Sequence, residues 1–310
     1  MTQNLFRSND FQRSVFLIMN KIKFGPAGNS ESFYEQGHRN SVEMPKWLHD
    51  MGLEAYEYSV TRGIRLKEST AGEIGEQAAK WGIAMSLHAP YYINLASREE
   101  EGRKKTVRYL YRSMEAADWF GAKRVVFHPG SAGKGDREPA MKDAKKLLLR
   151  AMEECSEFIA KGIHLCPETM GKKNQLGSLE EILDLCQLDE SLIPTVDFGH
   201  LHARSQGGIR TSKDYENILD SISGALDDRR GRAFHVHFSR IEYTAAGEKR
   251  HRTYQETEYG PDFEPLAELL LQKNLEPVII CESRKTMAED AVRLQKILQE
   301  KFSLFNGARL

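Results

Sequence analysis

Two short runs, Ala84-Met85-Ser86-Leu87-His88 and Arg124-Val125-Val126-Phe127-His128, flank a helical pattern over residues 102–120 that closes on Gly121. Strand, helix and strand in succession make the unit of a parallel sheet. The alternation continues in both directions. Strand-like runs cover residues 22–24, 55–60, 84–88, 124–128, 164–168, 193–197, 233–238 and 277–282. Helical patterns cover 42–51, 70–81, 102–120, 139–161, 178–185, 212–226, 263–272 and 287–301. Glycine follows the helical patterns at Gly52, Gly82, Gly121 and Gly162, where C-terminal caps call for it. Eight units of about 35 residues predict an α/β protein with a single (β/α)8 TIM barrel. An open doubly wound sheet needs a G-x-G-x-x-G turn after an early strand, and Gly25-Pro26-Ala27-Gly28 does not supply it. No Pro/Ser-rich linker divides the chain. One barrel domain is expected over residues 21–310, with residues 1–20 as an N-terminal extension outside it.

With 310 residues, 40% of them hydrophobic and 29% charged, the chain reads as an ordinary soluble globular protein able to bury a large core. The formal net charge of -1 provides no global attraction to a polyanion, although a basic rim can sit on a neutral body. Cys155, Cys166, Cys186 and Cys281 form no Cys-x-x-Cys pair and read as buried reduced thiols. No apolar stretch approaches the ~20 residues of a membrane span. The run Val15-Phe16-Leu17-Ile18-Met19 is too short for a signal-peptide core. A cytoplasmic monomer with no membrane role is the expectation.

The ends of strands three to eight carry the chemistry. His88, His128, Glu168, Asp197, His237 and Glu282 terminate these strands in order, at the face where such barrels place their active sites. His200 follows Asp197 closely, and His251 follows strand seven. His38, His49 and His164 lie away from that face and read as structural. His202 and His235 each sit two residues from a better ligand, and His235 faces the same interior as His237, one layer deeper. Imidazoles and carboxylates without cysteine suit zinc, manganese or iron. The set exceeds what one ion needs, and Glu168 is placed to bridge two. Bridged ions activate a water and clamp both oxygens of an in-line phosphoryl displacement.

Several motifs along residues 21–301 resemble endonuclease IV, the zinc-dependent apurinic/apyrimidinic-site endonuclease family within the xylose isomerase-like barrels. They are His88-Ala89-Pro90-Tyr91-Tyr92-Ile93-Asn94-Leu95, His128-Pro129-Gly130-Ser131, Glu168-Thr169 with Gln175-Leu176-Gly177, Asp197-Phe198-Gly199-His200, His237-Phe238-Ser239, and Glu282. The resemblance implies two or three Zn²⁺ ions, with Mn²⁺ or Fe an alternative at one site. His88, His128 and a bridging Glu168 would hold one ion. Glu168, Asp197, His237 and Glu282 would hold a second, and His200 with His251 a third. Glu168 and Glu282 would act in catalysis, on double-stranded DNA cut 5′ to an abasic sugar to leave a 3′-hydroxyl. Tyr91 and Arg62 would contact the substrate.

One loop departs from the family, whose third-zinc segment ends Asp-Arg-His. Here it reads Gly247-Glu248-Lys249-Arg250-His251, with Lys249 at the aspartate position and Glu248 one residue earlier as its substitute. Basic clusters at Arg62, Arg65 and Lys67, at Arg98, Arg103, Lys104 and Lys105, and at Arg240, Lys249, Arg250 and Arg252 follow strands two, three and seven. They are expected to form a phosphate-contacting rim. The rival reading is a single-metal (Mn²⁺ or Mg²⁺) sugar isomerase or epimerase of the same superfamily. It needs Glu168, Asp197, His237 and Glu282 but not His88, His128 or His251.

Overall fold

The computed structural model describes Met19, residues 21–133 and residues 135–307. Apart from Met19, which packs half-buried against the core, the expected N-terminal extension lies outside the described residues. The strands, in chain order, are β1 Lys23–Pro26, β2 Ala55–Ser59, β3 Ala84–His88, β4 Arg124–Phe127, β5 His164–Pro167, β6 Thr195–Asp197, β7 His235–Phe238, β8 Arg240–Thr244, β9 Gly247–Arg252 and β10 Val278–Cys281. All but β8 and β9 belong to the barrel. They pair in parallel as two sheets, ordered β2-β3-β4-β5 and β1-β10-β7-β6. Isolated bridges complete the ring, Ala27 with Glu57 on one side and Leu165 with Leu192 and Glu168 with Thr195 on the other. Gly25 permits the first closure, because a Cβ there would collide with the Ala55 carbonyl.

The barrel strands read as continuous apolar runs because both of their faces are covered. Val125, Val126, Phe127, Leu165, Val196, Val236 and Ile279 are all fully buried. Outside them the helices bury one stripe each. In Glu100–Phe120 that stripe is Val107, Leu110, Met114 and Ala117, at the three- to four-residue spacing of a helix face. Gly52, Gly82, Gly121 and Gly162 all take the left-handed conformation expected after helix ends.

The expected helix over 139–161 breaks at Cys155 into Arg137–Glu154 and Ser156–Ala160. Helices Glu31–Glu35 and Phe198–Arg204 and the antiparallel β8–β9 hairpin were not expected. Each is too short to establish a hydrophobic period of its own. All four cysteines are free and buried. Among the described residues no helix is long and apolar enough to cross a membrane.

Candidate metal centre

At the C-terminal ends of the strands lies a cavity of about 500 Å³ whose walls include His88, His128, His200, Glu248, His251 and Glu282. Glu168 sits among these histidines with no exposed surface. Its Oε2 lies 3.3 Å from His88 Nε2 and 3.1 Å from His128 Nε2, and its Oε1 lies 3.2 Å from His237 Nδ1 and 3.3 Å from His200 Nδ1. Glu282 Oε1 approaches the same His237 Nδ1 at 3.4 Å. Two ligand groups therefore share Glu168: His88 and His128 on one side, and Asp197, His237 and Glu282 on the other. Asp197 both ends β6 and caps the helix Phe198–Arg204. Its Oδ1 accepts from the His200 amide at 2.7 Å, which leaves Oδ2 buried with no hydrogen bond.

Hydrogen bonding on the far side of the rings tests whether these donors fit a cation. His88 Nδ1 is 2.9 Å from the Ala89 carbonyl, and His200 Nδ1 is 2.9 Å from that of Thr169. A carbonyl only accepts, so both Nδ1 atoms carry hydrogen. In a neutral ring Nε2 is then a lone pair. Those lone pairs face the oxygens of Glu168 at 3.3 Å and Glu248 at 3.4 Å. Lone pairs at such distances repel unless a proton or a metal ion stands between them. The orphaned Asp197 Oδ2 makes the same demand. The donor set fits divalent cations.

The electrostatics agree. Burial pushes the Asp197 carboxyl up to about 8, and Glu282 and Glu168 add to the rise while His200 opposes it. Burial disfavours a charged ring at His200 and His237, yet the surrounding carboxylates outweigh it and hold both well above the ordinary histidine value. Burial likewise disfavours ionised Glu168 and Glu282, but His237 and neighbouring histidines hold both far below the ordinary carboxylate range. Such a cluster concentrates negative charge that divalent ions would neutralise.

His200, His251 and Glu282 form a third group, and the β8–β9 hairpin that carries His251 also brings Glu248 beside it. Glu248 Oε2 is 3.4 Å from His200 Nε2, and His251 Nε2 is 3.9 Å from both Glu248 Oε1 and Glu282 Oε2. His251 Nδ1 is engaged by the Ser239 hydroxyl at 2.8 Å, which leaves Nε2 for the cavity. Three residues apart on a regular strand, Glu248 and His251 would face opposite ways. The register with β8, however, shifts between Glu242 and Tyr243: Glu242 stands opposite Arg250, Tyr243 opposite Glu248, and Lys249 is the extra residue. This bulge returns Glu248 and His251 to one face. Lys249 is exposed and pairs with Glu242. The bulge thus turns Glu248, and not Lys249, toward His200 and His251. Gly171 lets the hairpin approach, since a Cβ there would press on Glu248 and His200.

Around the mouth, Tyr91 is 58% exposed and its ring stacks on His128, with centroids 4.9 Å apart. Its amide donates to the carbonyl of Thr61, beside the exposed Arg62. The expected basic rim needs correction at strand seven. Arg240 is buried, donates to the Tyr254 carbonyl at 2.9 Å and pairs with Asp262 at 2.7 Å, so it braces the loop after β9. Arg252 pairs with Glu242 and Glu256, which leaves Arg250 as the exposed cation of that cluster with no ion pair among the described residues. Lys172, absent from the sequence expectations, lines the cavity. Glu57 was missed too: wholly buried on β2, it lies 3.1 Å from His235 Nε2 and 3.0 Å from His237 Nε2. Its signal was a charge between Tyr56 and Tyr58 in a barrel strand. His235 is indeed one layer below His237, and burial pushes its pKa down to about 4.

A closed parallel barrel with imidazoles and carboxylates converging at its C-terminal mouth defines a class of α/β barrels whose donor sets fit divalent cations. Within it the chain belongs to the xylose isomerase-like TIM barrel family, whose model matches residues 45–300. It is 32% identical, over 93% of its length and 99% of the relative's, to an uncharacterized protein of Methanocaldococcus jannaschii. A protein of Aquifex aeolicus named probable endonuclease 4 is 28% identical over 62% of this chain and 70% of its own. Across six bacterial relatives of that name the match spans 54–73% of the relative. Two solved structures share the fold. Endonuclease IV from Thermus thermophilus superposes with a TM-score of 0.66 at 21% identity, covering 84% of this chain and 94% of that one. A D-tagatose 3-epimerase-like protein follows at 0.65 and 20%, covering 83% and 91%.

Proposed function

We propose that the protein is a metal-dependent phosphodiesterase of the endonuclease IV kind, hydrolysing double-stranded DNA 5′ to an abasic site to leave a 3′-hydroxyl. The observation that carries this reading is the His88–His128–Glu168 group beside the four-ligand group, with Glu168 common to both. A one-ion sugar enzyme has no use for the additional imidazoles. Zinc ions, two or three with manganese or iron an alternative at one site, would activate a water and take up charge on the phosphate oxygens. His88, His128 and Glu168 would hold the first ion. Asp197, His237 and Glu282 would hold the second with the same Glu168, and His200, Glu248 and His251 the third. Glu168 and Glu282, each facing imidazoles of two groups, would hold the ions at fixed separation. Tyr91, stacked at the edge of the cavity, offers a flat face to an extrahelical sugar or base, and Arg62 and Lys172 offer charge to phosphates.

The test is incision of a duplex carrying one tetrahydrofuran abasic analogue by the zinc- or manganese-loaded protein. No cutting under either metal refutes the reading. The four-ligand group alone, together with the epimerase-like structural neighbour, supports the second reading of a single-metal sugar isomerase or epimerase. Metal analysis separates them: two or three ions per chain for the nuclease, one for the epimerase.

A further inference from the structure

Below the ligand layer, side chains from β2, β3, β4 and β7 form a file that is buried except at its half-buried end, Arg124. Arg124 donates through Nη2 to the Ala233 carbonyl at 2.7 Å and through Nη1 to the Phe234 carbonyl at 3.1 Å. The same Nη1 lies 3.3 Å from His235 Nδ1. A guanidinium has only donors, so His235 Nδ1 accepts and its Nε2 carries the hydrogen. That Nε2 donates to Glu57 Oε2 at 3.1 Å, where the Ser86 hydroxyl also donates at 2.9 Å. Oε1 of Glu57 is left without a hydrogen bond, and so is Nε2 of His237. Both residues are wholly buried, and these two atoms are 3.0 Å apart. Buried polar atoms need partners, and each supplies the other's lack.

We infer that Glu57 is a positioning residue: oriented by Arg124 and His235, it fixes the hydrogen of His237 on Nε2, so that Nδ1 is the atom presented to the ion. Arg124 fixes the tautomer of His235 because a guanidinium cannot accept, and the hydrogens of His235, Ser86 and His237 all converge on Glu57 because a carboxylate has only acceptors. Nδ1 is the nitrogen aimed at the oxygens of Glu168 and Glu282, at 3.2 and 3.4 Å. A carboxylate behind a ligating imidazole sets its tautomer and raises its basicity, and losing such a partner costs about 10–100-fold in metal affinity. The inference rests on the metal reading of the site but does not depend on the substrate.

Its test therefore avoids DNA. In the metal-free full-length protein labelled with ¹⁵N-histidine, at a pH high enough to neutralise the rings, long-range proton–nitrogen correlations report which nitrogen of His237 holds the hydrogen. Nε2–H is expected, and Nδ1–H in the unaltered protein overturns the inference without any variant. Glu57→Gln offers an amide donor to Nε2. It is expected to move the hydrogen to Nδ1 and to weaken zinc binding about 10–100-fold. Glu57→Asp, which keeps the charge, is expected to retain the Nε2–H form. A folded Glu57→Gln protein with unchanged tautomer and zinc affinity overturns the role. Failure of the unaltered protein to bind any metal would instead sink the metal reading, with the tautomer result still deciding the part played by Glu57.

Discussion

His88, His128, Glu168, Asp197, His237 and Glu282 stand at the ends of barrel strands, each held between paired neighbours. Glu248 and His251 ride on a two-stranded hairpin whose alignment depends on one bulged residue, Lys249, and on the bare backbone of Gly171. The first set inherits its geometry from the barrel, and displacing it means disturbing a closed sheet. The second is set by local register and can be lost or retuned while the barrel stands. A site divided in this way holds its strand-borne groups fixed and leaves the hairpin's side chains free to change.

The sharpest way to separate the two regions is to remove the residue common to the strand-borne groups. Glu168→Gln is expected to cut incision at least a thousandfold, about 4 kcal/mol of barrier, and to lower the ion count by two. Glu248→Gln touches the hairpin alone. It should lose one ion per chain and about 10–100-fold in rate, with the other ions retained in metal analysis. Equal losses from the two variants would erase the distinction.

Acidity gives a third handle. With the rings of His200 and His237 raised, their stabilisation is complete below their unfolded value and disappears as pH climbs through the raised folded value. Asp197, raised to about 8, acts in the same direction, because between about 4 and 8 the folded state binds the extra proton. The depressed Glu168 and Glu282 contribute fully above the usual carboxylate range and do not change in this window. Metal-free protein should therefore lose stability from about pH 6.5 to 8.5. Zinc, which must displace those protons, should raise the melting temperature more at pH 8.5 than at 6.5. A zinc-induced rise independent of pH would mean that these groups are not ligands.

The smallest effect concerns Lys249. Deleting it places Glu248 two residues before His251, where a regular strand presents both on one face, so ion count and activity should stay within about threefold. Lys249→Asp should add no ion, since position 249 faces outward.

The barrel and its strand-end ligands were legible because strand and helix periods repeat around the whole chain, and a ligand at the end of an apolar run has one place to go. The hairpin was not, because its facing depends on a register shift that no local pattern marks; with it went the fate of Arg240, which the loop buries. Glu57 escaped for a different reason. A single charge in the middle of an apolar strand carries no period and no motif, although that is where a barrel keeps what supports the layer above.

The ring is made of two paired arcs, and Glu57 and Glu168 each stand at a join between them. His88, His128 and Glu168 come from one arc, while Asp197, His237 and Glu282 come from the other. A cation gripped by both works as a clasp. Loading the protein with zinc should slow amide exchange at the joins more than in the middle of either arc, so that the chemistry of the mouth and the closure of the barrel become one event.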